Sequence, residues 1–320
     1  MGHPVSAPES APSLQWWRIG RTTLGFMLDT IALGRATGAD FLGPLISWAI
    51  VEANAAIINQ DPQLSHRYAS LDTPPPDELR RPVSVNALAS SLRLPYETVR
   101  RRVAAMTAAG VCVTTPKGVY VPAAALTGPR YEALALARYE RLKQFYEDLQ
   151  ALSALGRVNL APAGAPQHDR PPVRAANRAI SEYMLRVVDE MMLRWRDPVP
   201  GILHMEMTRA NILFTDRQRL AMDAPVPDEL RTPVSTLELA RRVGLPPETV
   251  RRHLAKLEAA GLCRRAKGGH LAALEQLAHG PGDRHKLADM LARAHRLMCR
   301  CAQLGVIGYW EAEARRLDVQ

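Results

Sequence analysis

Apolar residues recur along most of this chain at helical spacing, and alternate over only two short stretches. Leu239, Val243, Leu245, Val250 and Leu254 fall on one inward side, with charged residues between them. Leu88, Ala89, Leu92, Leu94, Val99 and Val103 do the same earlier in the chain. The spacing predicts pairs of short helices at 84–92 and 95–109, and at 235–243 and 246–260. Ala240 is small where such helices cross closely. Gly244 stands where the turn between them wants a left-handed backbone. Arg93 takes that place in the first pair, at a cost of roughly 1 kcal/mol, so a looser turn is expected there. After each pair comes a stretch that alternates around a turn with Lys and Gly, "GVCVTTPKGVYVP" and "GLCRRAKGGHLAAL", each read as a β-hairpin. Longer helices are expected ahead of the pairs, at 21–34 and 41–59 and at 176–195 and 201–214, and behind them, at 129–155 and 283–304. The last two carry apolar stripes, Leu142, Phe145, Leu149 and Leu152, and Leu287, Leu291, Ala294, Met298 and Cys301. Such stripes suit helix–helix packing, within the chain or between chains.

The two sets of elements share more than their pattern. Aligned without a gap, residues 76–113 and 227–264 are identical at 22 of 38 positions. "LPYETVRRRV" at 94–103 meets "LPPETVRRHL" at 245–254. With a short gap, "FLGPLISWAIVEAN" aligns with "PVPGILHMEMTRAN" upstream. The chain therefore reads as a tandem duplication. A leader at 1–13 is expected to be disordered, and the first repeat spans 14–156. A proline-rich linker at 157–172 comes next, then the second repeat at 173–305 and a C-terminal tail at 306–320.

Charge adds a direction to this plan. The 320 residues hold 41 Lys and Arg against 32 Asp and Glu, a net charge of +9. Residues 76–175 carry 14 basic and 8 acidic groups and residues 227–320 carry 16 and 11, while 1–75 carry 4 and 6 and 176–226 carry 7 of each. Positive charge sits with the paired helices and the segments C-terminal to them, which suits a polyanionic partner. The most apolar stretch contains Pro44, Glu52 and Asn54 and is read as a buried helix, with no membrane span. Four cysteines without a CxxC pair, and no signal peptide, point to reduced thiols and a cytoplasmic, nucleoid-associated protein. No HExxH, GxSxG, Walker or GxGxxG motif occurs, so neither an enzyme nor a cofactor is expected.

Helix, tight turn, helix, hairpin is the order of a winged helix-turn-helix. "LELARRVGLPPETVRRHLAKLEAAGLC" resembles the DNA-binding domains of bacterial winged-helix regulators of the GntR and IclR types. The fold class expected is mainly α, with two tandem winged helix-turn-helix domains, about 76–125 and 227–275. Each has two leading helices, a small hairpin wing and a closing helix. The resemblance implies that the second helix of each pair enters the major groove of double-stranded DNA. Tyr96, Glu97, Thr98, Arg100 and Arg101 then face DNA in the first copy, and Pro247, Glu248, Thr249, Arg251 and Arg252 in the second. Lys117, Arg265 and Lys267 in the wings would reach the backbone or minor groove. Beside this stands a plainer reading, in which Glu97–Arg101 and Glu248–Arg252 are surface ion pairs at i,i+4.

Other residues are read as structure. Cys112 and Cys263 are expected to be small buried thiols, and His295, Cys299 and Cys301 hold no metal site. Trp16, Trp17, Phe26, Trp48, Tyr183 and Trp195 are read as core, with an effector pocket as the alternative. Asn54 and Asn211 recur in the repeat, either capping a break or bonding a neighbour. The function expected is a sequence-specific transcriptional regulator from a GC-rich bacterium. It acts as a covalent pseudo-dimer whose unlike halves, Tyr96 against Pro247 and Arg102 against His253, read an imperfect palindrome. A replication-initiator or partition-type DNA binder and a protein-interaction module are the alternatives, and a further homodimer stays open.

Overall fold

The computed structural model describes residues 16–35, 41–156, 158–222, 224–274 and 281–318. The disordered leader expected at 1–13 lies outside them. The first half runs through α1 (Trp16–Arg35), α2 (Leu42–Asn54), α3 (Ala56–Gln60), α4 (Pro62–Arg67), α5 (Val85–Leu92) and α6 (Tyr96–Ala108). A hairpin of β1 (Val113–Thr115) and β2 (Gly118–Tyr120) precedes α7 (Pro129–Ala151). The second half has α8 (Val173–Trp195), α9 (Pro198–Asn211), α10 (Arg217–Leu220), α11 (Thr236–Val243) and α12 (Pro247–Ala259). Then come β3 (Cys263–Ala266), β4 (Gly269–Ala272), α13 (Pro281–Gln303) and α14 (Val306–Leu317). The fold is mainly helical, with two small antiparallel sheets.

Local chemistry accounts for the boundaries. Ser84 and Ser235 cap α5 and α11, accepting hydrogen bonds from the amides of Ala87 at 3.1 Å and Glu238 at 3.2 Å. Asp197 accepts from the Val199 amide at 3.0 Å, and Pro198 opens α9 three residues ahead of the expected start. The helix expected over 41–59 is two helices that meet at Ala55. The Asn54 carbonyl leaves the helical ladder and accepts from the Arg81 amide at 3.2 Å. The Asn211 carbonyl likewise accepts from Thr232 at 2.8 Å.

Each wing gains a third edge. Val83 bridges Val119, and Val234 bridges His270. Gly118 and Gly269, with φ of 128° and 156°, permit this, because a Cβ on either would strike the backbone of Val83 or Val234.

The four long helices α1, α7, α8 and α13 pack side by side, α1 and α8 each touching both α7 and α13. Phe26 stacks on Phe145 with ring centroids 4.4 Å apart, and Tyr183, Leu142, Leu149, Met298 and Cys301 are buried. The halves are intertwined. Val188 and Met192 of α8 complete the core of the first helix pair with Leu88, Leu92, Val99 and Val103. Arg178 of α8 donates to the carbonyls of Ser65 and Tyr68, each at 3.1 Å, next to α4. Arg21 of α1 donates to those of Leu220 and Met222, next to α10.

Residues 306–320, expected as a tail, contain α14. Trp310 lies 5.6 Å from Tyr139 and 5.4 Å from Tyr146, and Glu313 pairs with Lys143 at 2.8 Å, so the end of the chain packs on α7. Its periodicity is one apolar turn followed by charge, too short to stand out beside longer helices.

Candidate nucleic-acid interface

α6 and α12 each bury one face and present the other. Val99 and Val103 hold α6 inward, and Val250, Leu254 and Leu257 hold α12. The turns ahead of them are matched. Arg93 adopts φ 52° and Gly244 φ 69°, so the arginine closes the left-handed turn rather than opening it. The Arg93 side chain also pairs with Asp189 of α8 at 3.0 Å.

On the outward face of α6, Tyr96, Glu97, Arg100 and Arg101 are exposed and Thr98 is half-buried. On α12, Pro247, Glu248, Arg251 and Arg252 are exposed and Thr249 is half-buried. Lys117, Arg265 and Lys267 are exposed at the wings. Every residue expected at this surface is thus accessible, wholly or in part.

The ion pairs differ from those expected. Glu97 pairs with Arg100, not Arg101, through two hydrogen bonds of 2.8 Å. Glu248 pairs with Arg251, not Arg252, with hydrogen bonds of 3.0 and 2.8 Å. The i,i+3 geometry lets the guanidinium fork meet both carboxylate oxygens. These arginines hold the Glu97 and Glu248 carboxyls below the usual carboxylate range. Arg101 and Arg252 form no salt bridge among the described residues, and are the arginines available to a partner.

His253 does not join this surface. It is 3% exposed, with Nδ1 at 3.5 Å from Asp197 at the start of α9, whereas Arg102 in the matching place is half-buried. The contrast is between a core residue and a rim residue, not between two base-reading side chains. The reason is tertiary, because α9 lies over that side of α12.

Asn54 and Asn211 anchor the wings. Asn54 Nδ2 donates to the carbonyls of Arg81 at 2.8 Å and Val119 at 3.2 Å, and Oδ1 accepts from the Val121 amide at 2.9 Å. Asn211 Nδ2 donates to Thr232 at 2.9 Å and His270 at 3.0 Å, and Oδ1 accepts from Ala272 at 2.9 Å. Both side chains are buried, so the wing is fixed to the preceding helix by satisfied polar groups.

The other candidates fall in the interior. Phe26, Trp48 and Tyr183 are buried core, Trp17 and Trp195 are half-buried, and Trp16 is described only in its backbone. Cys112 and Cys263 are buried thiols, and burial pushes Cys263 up to about 12. Cys301 is buried, while Cys299 and His295 are half-buried on α13. Among the described residues no helix is long and apolar enough to cross a membrane.

A family model described as a helix-turn-helix domain matches residues 228–265, the segment that holds α11, α12 and the start of the second wing. No curated protein and no solved structure matches the chain. The second segment is therefore a winged helix-turn-helix, with its second helix exposed in the manner a DNA reader requires.

Proposed function

We propose that this chain is a sequence-specific, double-stranded DNA-binding transcriptional regulator of the GntR- and IclR-like kind. It acts by binding rather than catalysis, on the nucleoid in the cytoplasm. We further propose that it arose by tandem duplication and works as a covalent pseudo-dimer. Its two recognition helices then enter successive major grooves, roughly 34 Å apart.

The observation that carries the reading is the paired surface. Both α6 and α12 present a threonine, an arginine locked to a glutamate, and a next arginine with no salt bridge. Arginine can grip guanine O6 and N7 with two hydrogen bonds. The reciprocal packing of α8 on the first half and α1 on the second supports the pseudo-dimer, since it is the arrangement of a domain-swapped homodimer.

Selection of genomic DNA fragments by the purified protein at two salt concentrations tests the proposal, with Arg101→Ala and Arg252→Ala variants alongside. The expected result is one enriched motif with two unequal half-sites, each variant losing selectivity at one of them. Binding without an enriched motif that fades steeply with salt would leave only counterion release and would overturn it.

A further inference from the structure

The second wing holds a cluster that the first lacks. Glu258 at the end of α12, Cys263 in β3 and His270 in β4 bring a carboxylate oxygen, a sulfur and a ring nitrogen within 4.8 Å of one another. Cys263 and His270 are buried and Glu258 is half-buried. The same positions in the first wing are Thr107, Cys112 and Val119. The cysteine is common to both wings and accounts for its own burial in each. The two remaining differences both introduce metal donors, and both fall at one spot.

The geometry points inward to a shared centre. His270 Nδ1 is buried and lies 3.1 Å from Glu258 Oε1. The far nitrogen, Nε2, lies 3.3 Å from Thr236 Oγ1. A ligating histidine characteristically leaves its second nitrogen to an outer partner that fixes the ring. A tetrahedral zinc site with Zn–S about 2.3 Å and Zn–N or Zn–O about 2.0–2.2 Å holds its donors roughly 3.4–3.6 Å apart. Donors up to 4.8 Å apart must therefore close by up to about 1.3 Å on binding.

We propose that Glu258, Cys263 and His270 form a binding site for a divalent transition-metal ion of zinc type. Thiolate, imidazole and carboxylate suit that ion, and solvent takes the fourth position. On binding, the metal–sulfur bond replaces the Cys263 S–H bond and the proton leaves to solvent. Glu258 also accepts from Arg265 Nε at 3.1 Å. The site itself does not rest on the DNA-binding reading, and its test uses no DNA.

Cobalt(II) is titrated into the full-length, metal-free protein, followed by optical absorption and then by zinc competition. The expected result is one cobalt per chain with a thiolate-to-cobalt charge-transfer band, displaced by zinc. The band disappears in Cys263→Ser and persists in Cys112→Ser and in Cys299→Ser/Cys301→Ser. His270→Val and Glu258→Thr, which install the first wing's residues, abolish or strongly weaken binding while circular dichroism stays native. Thr236→Val weakens it about 10–100-fold, as loss of an orienting partner does. Absence of a thiolate band in the wild-type protein overturns the proposal whatever the variants do. So does a band that survives Cys263→Ser or is lost with Cys299 and Cys301.

Discussion

Arg93 and Gly244 occupy the same left-handed turn with φ of 52° and 69°. A side chain in that region costs about 1–2 kcal/mol and glycine escapes it. Gly244→Ala is therefore expected to lower the unfolding free energy by at least about 1–2 kcal/mol, read from urea denaturation, because its Cβ would also strike the Arg35 guanidinium that donates to the carbonyls of Arg241 and Arg242. Arg93→Gly relieves the same strain but gives up an exposed pair with Asp189 worth about 0–1 kcal/mol, so a net stabilisation of about 0–2 kcal/mol is expected. The glutamates beside the recognition arginines act at the same scale. Glu97 and Glu248 tie up Arg100 and Arg251 and set negative charge on the proposed DNA face. Glu97→Gln with Glu248→Gln is expected to raise DNA affinity several-fold at low salt, measured by fluorescence anisotropy. A loss of affinity instead would mean that the carboxylates themselves contact base edges, as with cytosine N4. Sequence spacing allowed either arginine as partner, and the side-chain rotamers selected the i,i+3 one.

Elements are joined here by buried polar groups as much as by apolar faces. Asn211 satisfies two carbonyls and one amide and holds the second wing to α9. Asn211→Ala leaves those groups buried and unpaired, so a loss of about 1–3 kcal/mol is expected, with fastest amide hydrogen exchange in β4. Helix α12 also meets α9 at buried His253, whose Nδ1 lies 3.5 Å from Asp197 without hydrogen bonding. Burial is the main cause that holds His253 below the ordinary histidine value, with Lys256 and Arg252 adding to it and Asp197 opposing. Protonation then favours the unfolded chain. The stability contributed by neutral His253 is complete above about pH 6.5 and declines as pH falls below it. The urea midpoint should drop between pH 7.5 and 5.5, and drop less in His253→Gln. An equal drop in both proteins would assign the effect elsewhere. The asparagines were visible as a recurring pair in the sequence, but their bonds reach the strands across the fold and carry no periodic signal.

At the scale of the whole molecule, the intertwined packing makes each half incomplete. Val188 and Met192 of α8 close the first helix pair's core, and Arg178 of the same helix is buried against Ser65 and Tyr68. A first half ending within 157–172 exposes that core, and is expected to show no cooperative unfolding transition alone. Mixed with the second half, it should recover one, read by circular dichroism. A cooperative transition in the isolated first half would show that α8 is dispensable to it.

Much of this molecule was legible in its sequence. Periodic apolar positions marked the helix pairs to within a residue or two, because each helix must bury one face whatever its neighbours are. The outward arginines were what the resemblance to winged-helix regulators implied, and they are exposed. The burial of His253, the exchange of α1 and α8 between halves, the docking of α14 and the meeting of Glu258, Cys263 and His270 were decided elsewhere. Each joins residues through contacts between separate elements. Burial, pairing and ligand geometry at such places depend on which surfaces tertiary packing brings together, and no local period along the chain records that.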